Sequence, residues 1–369
     1  MSSQPLPPLS HIPPYLQTIA DYEKQAEQHL SENTWHYLQG GAMDEQSVEE
    51  NLQQFKNIQL IPRLLNDLTH GSTACEILGQ IFPHPIFLAP IGHQQLFHPE
   101  AETASALAAE VLGSNLILST FTNTDLRDLK QENPFKWFQL YWQGDRAKSL
   151  ALVKLAEQQN FKAIVITVDS PHTGIRDRER RVNFQLPEGM QHPHTPTHIP
   201  LPHLSQNQHP VFNGLMQIAP KWTDIEFIIA HTALPVILKG VLHPLDAKKA
   251  LDIGVKGLII SNHGGRVLNT ALSPLIALQK IKSVLPDDFP LLLDGGIRRG
   301  TDVFKALACG ASAVLIGRPA MYGLAVAGAL GVAHVLKILK EEFEITMALM
   351  GTATVQEINH EFIYQNKTF

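Results

Sequence analysis

The chain is poor in cysteine and lacks most of the short motifs that mark common enzyme classes. Of its 369 residues only Cys75 and Cys309 are cysteines, far apart and outside any metal-ligand spacing. That usage suits a reducing compartment, two buried thiols and no disulfide. No G-x-G occurs anywhere, so a nicotinamide dinucleotide on a Rossmann turn has no support. Walker A, H-E-x-x-H, C-x-x-C and G-x-S-x-G are missing as well, which removes the usual handles for nucleotide hydrolysis, zinc catalysis and a serine nucleophile. Positive charge is scarce: 29 Lys and Arg face 35 Asp and Glu, for a formal charge of −6. The one arginine-rich stretch, residues 176–181, is interleaved with acids, so it argues against nucleic acid and for small-molecule chemistry. The proline-rich N-terminus has neither the basic nor the apolar part of a secretory signal. The longest apolar stretch, 323–339, carries His334 and Lys337, has leucine and valine at helical spacing, and predicts a docked helix, not a membrane span. These absences describe a cytoplasmic enzyme.

What is present is a repeat of short apolar runs, each followed by a helical pattern. They lie at 86–90, 116–120, 138–141, 163–169, 236–240, 257–262, 291–294 and 313–317. Continuous apolar runs alternating with amphipathic helices predict a parallel sheet buried on both faces, and eight of them predict closure into a (β/α)8 TIM barrel. With 44% hydrophobic residues the chain fits one large domain as readily as two ordinary ones; the barrel reading makes it one, 1–369, with a loose N-terminal arm at 1–20 leading into helices. After the fourth run, about fifty residues replace the usual two to six of a βα loop. Within them, 187–220 is rich in proline and holds His192, His194, His198, His203 and His209. Those spacings match no ligand pattern, so no metal is expected, and the segment reads as a mobile lid over the barrel mouth.

The chemistry concentrates where runs end. At 291–319 two apolar runs each finish in glycine and arginine. Glycine lets backbone N–H groups approach an anion, the helix starting near Thr301 adds donors and a positive dipole end, and Arg298 and Arg318 are candidate forks, so the stretch reads as a phosphate pocket. Just past an earlier run, Ser261-Asn262-His263-Gly264-Gly265-Arg266 offers an imidazole base and a carboxylate clamp. Ser119, Gln139, Tyr141, Thr167, Asp169 and Lys239 also fall at strand ends, where such barrels build their sites. The reading is a phosphorylated cofactor facing a His, Arg and Tyr cluster.

SNHGGR at 261–266, LDGGIRRGTDVFKALA at 293–308, IGRP at 316–319, WFQLY at 137–141 and TVDSPHTGIRDRERR at 167–181 together resemble the FMN-dependent L-2-hydroxy-acid oxidases and dehydrogenases. The resemblance runs from about residue 22 to 358. It implies that His263 takes a proton from the substrate with Asp169 steadying the imidazolium, roles that imidazole chemistry near neutrality supports. It further implies that Arg176 and Arg266 bind the substrate carboxylate, although Arg178, Arg180 and Arg181 compete for the role of Arg176. Tyr37 and Tyr141 would reach the carboxylate or hydroxyl. Lys239 would place charge near the flavin ring, and Pro90, Ile91, Gly92, Ser119, Gln139, Thr167 and Ser261 would touch the ring and ribityl chain. Asp294, Gly295, Gly296, Arg298, Gly317 and Arg318 would hold ribityl and phosphate.

The implied reaction is FMN-dependent oxidation of an L-2-hydroxy acid to the 2-oxo acid, with dioxygen as acceptor. The alternative is a soluble dehydrogenase passing electrons to a quinone or cytochrome. A homotetramer follows from the same resemblance. The chain departs from it at Ala89-Pro90-Ile91-Gly92-His93, where glycolate oxidases often have A-P-T-A-M. It departs also at Phe121, in place of tryptophan or tyrosine, and at Val267 and Asn269. Small Gly92 beside Phe121 predicts a moderately roomy apolar substrate pocket, with lactate preferred over mandelate.

Overall fold

The structure, a computed structural model, describes residues 4–129, 136–171, 173–195 and 202–365. Eight parallel strands form a closed barrel: β1 (Ile86–Leu88), β2 (Leu116–Ser119), β3 (Lys136–Leu140), β4 (Ile164–Thr167), β5 (Val236–Val241), β6 (Gly257–Ile260), β7 (Leu291–Asp294) and β8 (Ala313–Ile316). Each of the eight apolar runs supplies one of them.

Side chains on a strand alternate, so one set faces the barrel interior and the other the helices. Ile86, Leu118, Phe138, Ile166, Leu238, Leu258, Leu293 and Val314 belong to the large outer core under the helices. Phe87, Ile117, Trp137, Val165, Ile237, Ile259 and Leu292 form the inner one. The antiparallel hairpin Cys75–Ile77 with Gln80–Phe82 closes the lower end of the barrel, Phe82 lying edge-on to Trp137 at 6.3 Å. Two residues beyond each inner apolar side chain, period 2 again points inward at the upper end. The residues there are Ala89 on β1 and, on the next six strands, Ser119, Gln139, Thr167, Lys239, Ser261 and Asp294. The strand ends thus carry a polar ring above an apolar plug.

Outside the barrel, Thr18 caps the helix Ile19–His29 with a capping box, and two more helices follow at Glu32–Gln39 and Gln46–Lys56. The N-terminal arm is tied down by Leu6 N–H to the Gln28 carbonyl and Leu9 N–H to the Val326 carbonyl. The last long helix, Arg318–Met350, is apolar and long enough to cross a membrane. It bends at Ala327 and Gly328 and packs extensively on the helices Ile19–His29, Ala101–Leu112 and Gly300–Ala308, so burial in the core accounts for its composition. Cys75 and Cys309 are buried free thiols.

The long segment after β4 contains the short helix Asp177–Arg181, a π-helical turn Pro210–Leu215 and a turn of helix at Met216–Ile218. Residues 196–201 of the expected lid, with His198 among them, lie outside the described residues.

Candidate active site

A cavity of about 630 Å³ opens at the upper end of the barrel. Tyr37, Pro90, Ile91, Gly92, Ser119, Phe121, Tyr141, Thr167, Arg176, Lys239, His263 and Arg266 line it together with Asp294, Gly295, Gly296, Arg298, Gly317 and Arg318. Only three residues singled out in the sequence stand behind its wall, and each bonds to one that faces it. Asp169 meets His263 at 2.9 Å, Gln139 donates to Thr167 Oγ1 at 2.9 Å, and Ser261 accepts from Lys239 Nζ at 2.9 Å.

His263 follows β6 in a left-handed backbone conformation, φ 58°, held by its own N–H to Ser261 Oγ at 2.9 Å. Nδ1 donates to Asp169 Oδ1, which leaves the Nε2 lone pair facing the Tyr141 hydroxyl at 3.3 Å. Burial alone would raise the Asp169 carboxyl, but the His263 imidazole and Lys239 beside it bring it below the ordinary carboxylate range. Tyr141 goes the other way: burial and then the Asp169 charge push its phenol to about 12, so it stays a neutral donor. An imidazole oriented by a carboxylate, with its far nitrogen facing the cavity, has the geometry that a general base requires.

Arg266 and Arg176 converge on one side of this base. Arg266 gives Nη1 to the carbonyls of Tyr37 and Gly40 and Nη2 to Glu179 Oε1 at 3.1 Å, and it lies 5.0 Å over the Tyr37 ring. Arg176 donates Nε to the Arg266 carbonyl at 3.3 Å and Nη1 to Glu179 at 3.2 Å. Burial, then the neighbouring Arg176 charge, lowers the Arg266 guanidinium. Of five N–H donors each, both arginines keep some for the cavity. The rival arginines turn elsewhere: Arg178 pairs with Glu45 and Arg180 with Asp177, while Arg181 is exposed and does not line the cavity. Glu179, which no sequence signal separated from its charge run, bridges the two clamp arginines.

The opposite end is built on the β7 and β8 turns. Gly295 and Gly296 have φ of 89° and 96°, which glycine adopts without penalty. Arg298 gives its backbone N–H to Asp302 Oδ2 at 2.9 Å, and among the described residues its side chain donates only to the adjacent Ile297 carbonyl at 2.9 Å, leaving most of its fork for the cavity. Arg318 differs from the expected phosphate fork. Its donors go to the carbonyls of Leu38, Gln39, Gly40 and Gly264, and burial, then Arg266, brings it down to about 10. It ties the second N-terminal helix to the base loop, with a single N–H left over.

Between the two ends Lys239 sits on the floor, 3.0 Å from Asp294. Burial would lower its ammonium, but Asp294 and Asp169 more than offset that and raise it. The Asp294 Oδ1 atom, buried and without a partner among the described residues, is an open acceptor for a hydroxyl. Anion donors at one end, an unmatched acceptor beside them and a buried cation in the middle fit the phosphate, ribityl and ring of FMN. Among the described residues no three His, Cys, Asp or Glu side chains are placed to hold a metal ion.

Gly92 corrects the sequence reading of the pocket. A Cβ on it would meet Phe121 Cβ at 2.8 Å, so its smallness admits Phe121 and leaves no space for substrate. The wall is aromatic: Tyr37 stacks on Phe184 at 4.6 Å and 15°, and Phe121 on His93 at 5.4 Å and 20°. His93, which burial and then His192 bring down to about 4, is a neutral member of it. Leu186, Leu215 and Ile218 complete the cover from the segment after β4. Asn123 Nδ2 to the Gln191 carbonyl at 2.9 Å and Leu126 N–H to His194 Nε2 at 2.9 Å fasten that cover to the loop after β2.

Comparison with known proteins follows the same lines. The chain matches the family described as FMN-dependent dehydrogenase over residues 26–365. It is 44% identical over 352 residues to an L-lactate oxidase of Roseobacter sp. (strain GAI101), covering 94% of both chains. To an L-lactate oxidase of Alicycliphilus denitrificans it is 41% identical, covering 96% of this chain and 98% of the relative. A solved structure of mandelate oxidase with benzoyl-formic acid superposes with a TM-score of 0.86 at 37% identity, over 95% of this chain and 98% of that one.

Proposed function

The chain belongs to the FMN-dependent dehydrogenase family, and from that premise we propose that it oxidises lactate-like L-2-hydroxy acids and returns the electrons to dioxygen. It is an FMN-dependent oxidoreductase of L-2-hydroxy acids. The observation that carries the reading is the His263–Asp169 pair, 2.9 Å apart, in one cavity with two partly unspent arginines.

Arg176 and Arg266 bind the substrate carboxylate through the donors that Glu179 and the backbone leave free, a forked recognition that sets the α-carbon in register. Tyr37 and Tyr141 add phenolic hydrogen bonds. The proton that the substrate gives up passes to Nε2 of His263, and the ionised Asp169 stabilises the resulting imidazolium through Nδ1. FMN supplies the two-electron acceptor. Lys239 would set its positive charge beside the flavin ring, and Asp294, Gly295, Gly296 and Arg298 would hold the ribityl and phosphate. Ser119, Gln139, Thr167 and Ser261 keep the polar ring of strand ends in register.

Lactate is the first choice because the aromatic wall of Phe121, Tyr37 and Phe184 accepts a short aliphatic chain, and both lactate oxidases above are named for that acid. Such a wall separates chain lengths by only about 1–3 kcal/mol per methylene. We expect kcat/KM to fall gradually from L-lactate to L-2-hydroxyhexanoate and L-mandelate, with D-isomers inactive; a strong preference for glycolate would overturn this assignment. Oxidase and dehydrogenase are separated by reoxidation: the reduced protein should recover its flavin absorbance faster in air-saturated buffer than with a soluble quinone.

The segment 187–220 acts as the lid, and the protein assembles as a tetramer. Limited proteolysis should cut 187–220 before any barrel strand, and saturating 2-oxo acid should slow the cut. Equal protection of lid and strands in both states would contradict a lid.

A further inference from the structure

We propose that Asn51, on a helix outside the barrel, is a positioning residue that couples placement of the base His263 to occupancy of the phosphate turn. The proposal rests on the functional reading above for His263 and for the turn at Gly295 and Gly296.

The helix Gln46–Lys56 buries one residue per turn on one face: Ser47, Asn51 and Phe55. Each meets a different part of the site. Ser47 Oγ donates to the Leu268 carbonyl at 3.3 Å, beyond the base loop. Asn51 and Asn262 exchange hydrogen bonds, Nδ2 to Oδ1 in both directions at 2.8 Å, and both side chains are buried. Asn262 immediately precedes His263, and its Oδ1 also caps the next turn by accepting Gly265 N–H at 3.1 Å. The carboxamide pair therefore fixes the left-handed backbone that aims His263 at Asp169 and Tyr141.

The same residue backs the phosphate turn. A Cβ on Gly295 would meet Asn51 Nδ2 at 3.0 Å, and one on Gly296 would collide with the Asn51 carbonyl oxygen and meet Phe55 at 3.0 Å. One turn further on, Lys305 of the helix Gly300–Ala308 donates Nζ to the Phe55 carbonyl at 2.8 Å. Neither Asn51 nor any other residue of its helix lines the cavity, so it acts on substrate and cofactor only through the two turns it holds. A buried amide pair bonded in both directions tolerates little slack, because a shift of one carboxamide stretches both hydrogen bonds at once.

The test compares three variants in two measurements: FMN affinity of the apoprotein by flavin fluorescence, and the rate of flavin reduction at saturating FMN. His263→Gln should move only the rate and Arg298→Ala only the affinity. Asn51→Asp, which keeps the shape but sets a carboxylate oxygen against Asn262 Oδ1 where Nδ2 donated, should move both by about tenfold, the effect of one lost buried hydrogen bond. A folded Asn51→Asp protein with both values within twofold of wild type would overturn the proposal. If that variant does not fold, the wild type decides. Backbone hydrogen exchange of residues 46–56 should slow when FMN is added, and protection at 295–298 without any change at 46–56 would overturn the coupling. Failure of the underlying reading looks different, as unchanged reduction in His263→Gln.

Discussion

Replacing His263 by glutamine is expected to leave FMN bound and to slow flavin reduction by L-lactate about 100- to 10,000-fold, the usual contribution of a positioned general base. Glutamine can still donate toward Asp169, so the local hydrogen bond at 2.9 Å has a replacement and the loop keeps its shape. What disappears is the basic lone pair on Nε2, opposite the Tyr141 hydroxyl. The loss should fall on the reduction rate, with KM changed little, because the carboxylate clamp of Arg176 and Arg266 is untouched. Anaerobic stopped-flow mixing reads it directly. Reduction within threefold of wild type would mean that another group takes the proton; Tyr141, with a phenol near 12, is too weakly acidic to be a phenolate base at neutral pH.

The second large effect separates the two arginines that the sequence presents as equals. Arg298→Ala should raise the FMN dissociation constant about 100-fold, as expected from losing two charge-assisted hydrogen bonds of roughly 1.5 kcal/mol each. The thermal stability of this variant without FMN should barely change, since among the described residues the Arg298 side chain bonds only to the adjacent Ile297 carbonyl and its backbone N–H, which donates to Asp302 Oδ2 at 2.9 Å, is kept in alanine. Arg318→Ala should behave in the opposite way. Four backbone carbonyls lose their donor, so the apoprotein should melt at lower temperature, and its FMN affinity should fall less than that of Arg298→Ala. Equal losses of affinity in the two variants with equal melting temperatures would show that Arg318 holds phosphate as directly as Arg298.

The barrel was legible in the sequence because period and burial agree in every strand. A run such as Leu291-Leu292-Leu293-Asp294 is apolar on both faces until the residue that reaches the cavity, so the run marks the strand and its polar end marks the site. Motif residues that point into the cavity were found for the same reason. What the sequence hid is contact across long separations. Asn51 lies 211 residues from Asn262 in a stretch patterned like any amphipathic helix, and Glu179 sits in a charge run whose pairings only the fold decides. The use of donors is equally invisible: Arg318 stands in a phosphate-like motif yet bonds mainly to its own backbone. Gly92 is ambiguous in the sequence because a missing side chain marks either open space or a close neighbour, and in the fold Phe121 is that neighbour.

Anaerobic mixing of the purified protein with L-lactate tests cofactor, reaction and stereochemistry at once. The account predicts a flavin spectrum from bound FMN that bleaches with L-lactate, stays oxidised with D-lactate, and bleaches far more slowly in His263→Gln. A protein that carries FMN but stays oxidised with every L-2-hydroxy acid offered would contradict it.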